Sequence, residues 1–321
     1  MALASVLLNI TEARIPNLVT SVLKIDKKVV TEAKSKLTNH LPLMHNIIMN
    51  RLSVQKRKAV AACLVEGNSI RATSRLSGVA INTVVKLLVD LGGACAEYQY
   101  RNVRGLKSKR VQADEIWCFC YCKERNVPED KKGVYGMGDV WTWTAIDADT
   151  KMVLSWFVGR RNLLSCRLFM LDVAERISQR FQLTTDGFGA YIQSVDKAFA
   201  GEIDYAQLHK TYGPAPEPAG RYSPAACTGV TCKKIRGNPE KEHISTSYIE
   251  RQNLTMRMSM RRFTRLTDAF SKKVENLEAA VALHFMHYNY CRVHGTLKTS
   301  PAVAAGLTNQ VWSLDELASL A

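Results

Sequence analysis

The stretch ADEIWCFCYCKE contains two kinds of side chain that can bind a metal ion. Hard oxygen ligands, which Mg²⁺ prefers, are offered by the adjacent carboxylates Asp114 and Glu115. Soft thiolates, which suit Zn²⁺, are offered by Cys118, Cys120 and Cys122. Residues that alternate along a strand lie ~6.6–7 Å apart on one face, too far for two thiols to bind one tetrahedral ion easily. The pattern therefore favours the carboxylates as the reactive groups and the cysteines as small core residues.

Three acids at long separations fall where the sequence pattern predicts the ends of secondary-structure elements. Asp114 lies on a predicted strand, Asp186 follows the short predicted strand QLTT, and Glu250 lies near the start of a predicted helix. Such acids can converge at one edge of a sheet. Converging carboxylates can hold two Mg²⁺ ions about 4 Å apart, which activate the attacking oxygen of a phosphodiester reaction and stabilise the leaving oxygen. We therefore expect two Mg²⁺ ions as the cofactor, with Mn²⁺ able to replace them.

Other acids are expected to have structural roles. Glu115 alternates to the strand face opposite Asp114, which argues against a role as a metal ligand. Asp147 and Asp149 lie in a predicted hairpin turn, where acids are favoured for conformational reasons alone.

The composition points to a polyanionic partner. The 321 residues include 44 Lys and Arg against 29 Asp and Glu, a formal net charge of +15. This surplus is typical of proteins that bind nucleic acid, and an anionic membrane surface is the weaker alternative. No run approaches the ~18–20 apolar residues of a membrane span, and the N-terminus lacks the features of a signal peptide. Nine scattered cysteines fit reduced thiols in a cytoplasm.

Residues 49–92 have the pattern of an all-helical helix-turn-helix segment. Ser53 is a candidate N-cap for the first helix, and a short second helix ends at a turn made by Gly78. The outward face of the next helix, which would read DNA, carries Asn82, Thr83 and Lys86. A plain helical hairpin has the same pattern. The charge of residues 49–110, twelve Lys and Arg against three acids or a net +9, favours DNA binding.

Two segments flank this helical region. Residues 93–110 are predicted to form a basic linker that follows DNA phosphates. Its cationic residues are Arg101, Arg104, Lys107, Lys109 and Arg110. Residues 1–48 have no clear pattern and form an unassigned N-terminal extension, unless translation starts at Met49.

From Val111 the hydrophobic period becomes that of strands. Two strands joined by a hairpin turn are predicted over residues 140–159, followed by a helix, a short strand, a second helix and a further strand. Residues 211–245 have no clear period and are interpreted as an insertion before the last helices. This order predicts a ribonuclease-H-like α/β core over residues 111–294, followed by a C-terminal tail at 295–321.

The helix predicted to start at Ser247 carries one acid among several bases on a single stripe. The stripe consists of Glu250, Asn253, Leu254, Arg257 and Arg261. A helix that faces both a metal site and DNA would have this pattern, so we expect its amide and arginines to contact DNA. The alternative is a solvated charged face on which Glu250 forms an ordinary ion pair.

Six segments resemble bacterial insertion-sequence transposases of the DDE type. They are VQADEIW, GDVWTWTAIDADTKMVLSWFVG, QLTTDG, RYSPAACTG, STSYIERQNLTMRMSMRRFTRLTDAFSKKVEN and YNYCRVHGTL. The insertion-sequence-one-like group is the branch that they resemble, and the resemblance covers roughly residues 49–315. Some members of that family carry a cysteine zinc ribbon before the helix-turn-helix, whereas the first 90 residues here contain only Cys63.

This resemblance implies a function. Asp114, Asp186 and Glu250 match the DDE acids that hold the metal ions in the family's integrase-like core. The implied activity is Mg²⁺-dependent cleavage of double-stranded DNA at terminal inverted repeats and transfer of the 3′ end into target DNA. Two ends must be joined, so the implied assembly is a homodimer or a higher oligomer on DNA. It implies association with the nucleoid in a bacterial cytoplasm, without a membrane partner.

Several residues keep two interpretations. Cys227 and Cys232 are either free thiols in a loop or ligands of a metal shared with His209 or His243. His294, in the segment YNYCRVHGTL, either contacts a phosphate or water in the site or caps the last helix. Two further histidines are expected to pack on that helix: His284 and His287.

Two other functions use the same residues. A non-catalytic DNA-binding protein or repressor derived from a transposase would keep the helix-turn-helix without cutting DNA. A hydrolytic nuclease would use the same metal chemistry without strand transfer. The presence of all three acids favours the transposase over the repressor.

Overall fold

The computed structural model describes residues 52–214, 225–264 and 268–321. The unassigned extension, residues 1–48, lies outside the described residues.

Six strands form one sheet in the described part of the chain. They are β1 (Arg110–Cys120), β2 (Gly138–Asp147), β3 (Val153–Gly159), β4 (Gln182–Thr185), β5 (Asp204–Tyr212) and β6 (Cys227–Arg236). The spatial order is β3-β2-β1-β4-β5-β6, with β4 parallel to both β1 and β5 and the remaining pairs antiparallel. The antiparallel β1–β2–β3 meander followed by the parallel β4 and β5 fits a ribonuclease-H-like core. The predicted hairpin between β2 and β3 is confirmed.

The described residues also contain nine α-helices. They are α1 (Val54–Val65), α2 (Ile70–Ser77), α3 (Ile81–Asn102), α4 (Leu163–Arg176), α5 (Ala190–Phe199), α6 (Ser247–Ser259), α7 (Val274–Met286), α8 (Pro301–Ala304) and α9 (Leu314–Ala318). A π-helical turn, His287–Cys291, continues α7. Ten of the thirteen residues of α7 are buried, so this helix is a central part of the core.

The ends of the first helices are set by capping residues. The Ser53 hydroxyl accepts a hydrogen bond from the backbone N–H of Lys56, as expected of an N-cap. Gly78 ends α2 in the left-handed conformation, with φ of 66°. The angle between α2 and α3 is 108°, within the range of helix-turn-helix pairs. The DNA-binding role of these helices stays a prediction.

The structure differs from the sequence prediction after residue 92, where the basic linker was expected to begin. Helix α3 continues to Asn102, and Leu91, Cys95 and Gln99 are buried on it. The Gln99 side-chain amide donates to the backbone carbonyl of Ala282 in α7, 3.2 Å away. The apolar stripe of α3 therefore extends beyond the helix-turn-helix segment and fastens it to the core.

Two other segments contain secondary-structure elements that their sequence pattern did not indicate. The predicted insertion, 211–245, contains the edge strand β6, most of whose side chains are exposed and therefore lack a hydrophobic alternation. The tail, 295–321, contains α8 and α9 and packs against α1, where Lys58 pairs with Asp315 at 2.6 Å. Trp312 contacts the rings of Tyr98 and Tyr290.

No single helix of the described residues is long and apolar enough to cross a membrane. The bent pair α2 and α3 meets that test jointly, as buried core helices also do.

Two adjacent glycines on α3 provide a matched test of how closely α3 approaches α7. A methyl group on Gly92 would lie 2.5 Å from the Cα of Ala279, whereas one on Gly93 would have no neighbour within 4 Å. We predict that Gly92→Ala lowers the free energy of unfolding by about 1–3 kcal/mol, because the helices must separate. Gly93→Ala should leave it unchanged or raise it by up to about 1 kcal/mol, because alanine favours the helix. Urea unfolding measures both, and equal effects would contradict the close packing.

Candidate active site

A buried glutamine on β1 fixes the helix that covers the site. The Gln112 side-chain carbonyl accepts hydrogen bonds from the backbone N–H groups of Tyr248 and Ile249, at 2.8 and 3.1 Å. These two residues lie in the first turn of α6, whose N–H groups have no partner within the helix. Gln112 therefore replaces an N-cap and holds the start of α6 against β1.

Strand register brings two of the predicted acids together. Ala113 of β1 is paired with Thr185 of β4, so the next residues are neighbours: Asp114, which lies within β1, and Asp186, which directly follows β4. The Asp186 carboxylate also accepts a hydrogen bond from the backbone N–H of Phe188, at 2.9 Å, which shapes the turn after β4. The predicted convergence of these two acids is therefore present in the structure.

Glu115 is a member of the same cluster, contrary to the sequence expectation. Carboxylate oxygens of Asp114, Glu115 and Asp186 lie within 4.8 Å of one another, the only such group of metal-ligand side chains in the described residues. Glu115 contacts Tyr191, on the sheet face opposite α6, as alternation predicted. Its longer side chain nevertheless reaches the other two acids. Hard oxygen donors at this spacing fit Mg²⁺ or Mn²⁺.

The cation of this cluster is Arg161, which sequence reasoning missed. Its Nε donates to Glu115 at 2.5 Å, and its Nη2 lies 3.7 Å from the Asp186 carboxylate. The guanidinium carbon lies 3.9 Å from the ring centroid of Phe188. Forty-six residues separate Arg161 from Glu115, so no local spacing signals the pair.

Glu250, the third predicted acid, lies outside the carboxylate cluster. Its carboxylate accepts hydrogen bonds from Lys210 of β5 and from the Thr246 hydroxyl. The alternative in which Glu250 forms an ion pair is thus what the structure shows. Its negative charge still contributes to the raised pKa of Asp114, which places it near the cluster.

Asn253 lies one turn after Glu250 and belongs to the site. Its side-chain amide donates to Asp114 at 2.8 Å, and the residue is buried, contrary to its prediction as a DNA contact. The Asn253 side-chain oxygen is buried without a hydrogen-bond partner. The amide therefore orients Asp114 and holds α6 at a second point.

The environment of Asp114 favours its protonated form. Burial, followed by the negative charges of Glu115 and Asp186, raises the pKa of Asp114 to about 7. Burial and Asp186 also raise the pKa of Glu115, against the lowering effect of Arg161.

The residues predicted to contact DNA on α3 lie at its first turns. Asn82 and Lys86 are exposed and Thr83 is half-buried, and Lys86 pairs with Asp90 at 2.5 Å. Their role in DNA binding stays a prediction.

Several other predicted DNA contacts have acidic partners within the chain. Arg101 pairs with Glu97, Arg104 with Glu175, and Arg110 with Asp149. Lys107 and Lys109 are exposed and form no salt bridge among the described residues. Arg257 is half-buried on α6, while Arg261 is exposed beyond the end of that helix, so the expected stripe is interrupted.

Two of the three cysteines expected in the core are buried there, whereas Cys122 follows β1 and is half-buried. Cys118 and Cys120 are buried, and burial raises the pKa of the Cys120 thiol to about 12, which keeps it protonated. Cys227 and Cys232 are exposed on β6. Within the described ranges they form no metal-ligand group with His209 or His243.

The three histidines near the C-terminus differ in how deeply they are buried. His284 is packed in the core as predicted, and burial lowers its pKa to about 3. Burial also lowers the pKa of His287. His294 lies beside the Thr296 hydroxyl, at 3.0 Å, and burial and nearby cations lower its pKa. No contact joins His294 to the acids among the described residues.

We predict that Asp114→Asn stabilises the metal-free protein more at pH 8 than at pH 5. The carboxyl has a pKa of 3.8 when unfolded and about 7 when folded. As pH rises between these values, the wild type loses up to about 1.4 kcal/mol of stability per pH unit, which the amide variant does not lose. The difference in unfolding free energy should widen by about 2.5 kcal/mol from pH 5 to pH 8 in EDTA. The exposed acid Asp130, changed to Asn, is the control; a pH-independent difference would contradict the burial of charge.

No family model and no curated protein matches the chain. The Mos1 transposase paired-end complex with the left transposon end aligns at 8% identity and a TM-score of 0.22, covering 62% of this chain and 75% of that chain. The piggyBac transposase synaptic complex with hairpin DNA aligns at 9% identity and a TM-score of 0.37, covering 89% and 74%. A pre-cleavage Mos1 transpososome aligns at 6% identity and a TM-score of 0.25, covering 88% and 94%. TM-scores of this size carry no inference about fold or function.

Proposed function

We propose that the chain is a DNA transposase of the DDE type, of the bacterial insertion-sequence-one-like family. It binds the terminal inverted repeats of an insertion sequence and catalyses metal-dependent DNA cleavage and strand transfer. The observation that carries this proposal is the convergence of Asp114, on β1, with Asp186, which directly follows the adjacent parallel strand β4. The net charge of +15 and the segments that resemble such transposases support it.

Asp114 and Asp186 would hold the divalent metal, with Glu250 as the third acid. When bound, two Mg²⁺ ions, or Mn²⁺ in their place, supply activation of the attacking oxygen and stabilisation of the leaving oxygen. The raised pKa of Asp114 means that it must lose a proton before it can serve as a ligand.

The other side chains of the site hold these acids in place. Asn253 donates to Asp114 and keeps one of its oxygens oriented. Gln112 fixes the start of α6 and with it the position of Glu250. The Glu250 side chain is 44% exposed, so its ion pair with Lys210 contributes little stability. Replacing Lys210 by a metal ion as the partner of Glu250 therefore costs little free energy.

In this proposal the helix-turn-helix reads the element ends. Asn82, Thr83 and Lys86 would contact base edges or phosphates from the start of α3, and Lys107 and Lys109 would bind the backbone. Two ends must meet before strand transfer, so the active form would be a homodimer or a higher oligomer on DNA in the bacterial nucleoid.

One observation favours a second candidate function, a DNA-binding protein that does not cut. Glu250 is neutralised by Lys210 and is absent from the carboxylate cluster. A repressor derived from a transposase would keep such a pair, since no metal would compete for the acid.

We predict that the full chain nicks labelled DNA carrying the element's own ends in Mg²⁺ but not in EDTA. Asp186→Asn should lower the cleavage rate at least about a hundredfold, because it removes a charged metal ligand, while binding to the same DNA stays unchanged. The exposed acid Asp130, changed to Asn, serves as the matched control and should cleave normally. Gel analysis of cleavage and fluorescence anisotropy of binding measure the two effects. Binding without metal-dependent cleavage in the wild type would select the repressor.

A further inference from the structure

The guanidinium of Arg161 lies at the carboxylate cluster. Its inner end, Nε, and its outer end, Nη1 and Nη2, have different surroundings. Arg161 lies between the end of β3 and the start of α4. Its planar group contacts the rings of Phe188 and Trp141, with the guanidinium carbon 3.9 and 5.2 Å from their centroids. Stacking on two aromatic rings restricts the orientation of the group, which therefore points its nitrogens in defined directions.

The inner end of Arg161 is held by a buried acid. Glu115 has a side chain that is 2% exposed, and its two oxygens have separate partners. One accepts from Arg161 Nε at 2.5 Å, and the other accepts from the hydroxyl of the buried Tyr191 at 2.9 Å. Both oxygens of this buried carboxylate therefore have partners within the protein, and one of these partners is a cation.

The outer end of Arg161 makes no hydrogen bond among the described residues, and its ion-pair contact with Asp186 is long. The side chain is 35% exposed, and Nη2 lies 3.7 Å from Asp186, beyond hydrogen-bond distance. Among the described residues, neither Nη1 nor Nη2 of Arg161 donates a hydrogen bond. Four N–H donors are therefore presented beside the acids where phosphodiester chemistry is proposed to occur.

We infer that Arg161 binds a non-bridging oxygen of the DNA phosphodiester at this site, and that Glu115 positions Arg161 rather than binding metal. This inference rests on the proposed function. The acids of the cluster repel a phosphate, and the stacked guanidinium supplies the opposite charge in the fork geometry that phosphate oxygens accept. The two neighbouring acids thus divide their roles between the two faces of β1, with Asp114 toward the metal and Glu115 toward the cation.

The test compares Mn²⁺ affinity with nicking of a supercoiled plasmid that carries the element's ends, measured over a range of plasmid concentrations. Arg161→Gln should lower kcat/KM for nicking at least about tenfold, because a charge-assisted hydrogen bond to phosphate is lost. Its Mn²⁺ affinity, from calorimetric titration, should stay within about twofold or become tighter. Arg161→Lys keeps the charge and should recover part of the rate.

Two further variants separate the roles. Glu115→Gln should bind Mn²⁺ as the wild type does but nick more slowly, whereas Asp186→Asn should lose Mn²⁺ affinity. Arg160 is an exposed neighbour whose side chain contacts the carbonyl of Gly133, and Arg160→Gln should behave as the wild type in both measurements. Thermal unfolding of each variant identifies any loss caused by misfolding.

The outcomes are distinct. Normal nicking by Arg161→Gln, or loss of Mn²⁺ affinity in Glu115→Gln equal to that in Asp186→Asn, would overturn the inference while leaving the proposed function intact. A wild-type chain that binds the plasmid but does not nick it with Mn²⁺ would overturn both. Reduced nicking with retained Mn²⁺ affinity in Arg161→Gln and Glu115→Gln would establish the inference.

Discussion

The geometry of the site depends on one buried amide. The first N–H groups of α6 need acceptors, and Thr246, at the N-cap position, makes no capping hydrogen bond with its side chain. Gln112 accepts from two of them across 136 and 137 residues of sequence. The strand that carries Asp114 is thereby joined to the helix that carries Glu250 and Asn253. Any shift of α6 along β1 would leave helix N–H groups or the buried Gln112 without partners, which costs free energy and so fixes the register of the two elements.

The acids of the site repel one another, and the cations that offset this repulsion lie on both faces of the sheet. On the α6 side, Lys210 compensates Glu250, and on the opposite side Arg161 compensates Glu115. Asp114 has an amide partner instead of a cation, and burial together with the neighbouring acids Glu115 and Asp186 raises its pKa. The least compensated acid is therefore the one with most to gain from a bound divalent ion.

Much of the fold follows from local pattern, and the exceptions have physical reasons. The hairpin of β2 and β3, the helix Ala190–Phe199 and the convergence of Asp114 with Asp186 were predictable, because alternation and strand order determine them. Strand β6 was missed since an exposed edge strand has no apolar alternation. The face of β1 on which Glu115 lies was predicted correctly. Its contact with the other two acids was not, because strand alternation does not specify how far a side chain extends. The partners of Arg161 and Gln112 are distant in sequence, and no periodicity encodes them.

The continuity of α3 has a geometric consequence. Its first turns carry the predicted base-reading residues, and its later turns are packed against α7 in the core. Its 22 residues span about 33 Å at 1.5 Å per residue, close to one turn of B-form DNA. In the proposed function, this continuous helix would fix the distance between the residues that bind bases and the acids that cleave DNA. The number of base pairs between the recognised sequence and the broken bond would be set by the length and helical phase of α3, and adding one residue to it would rotate the reading face by about 100°.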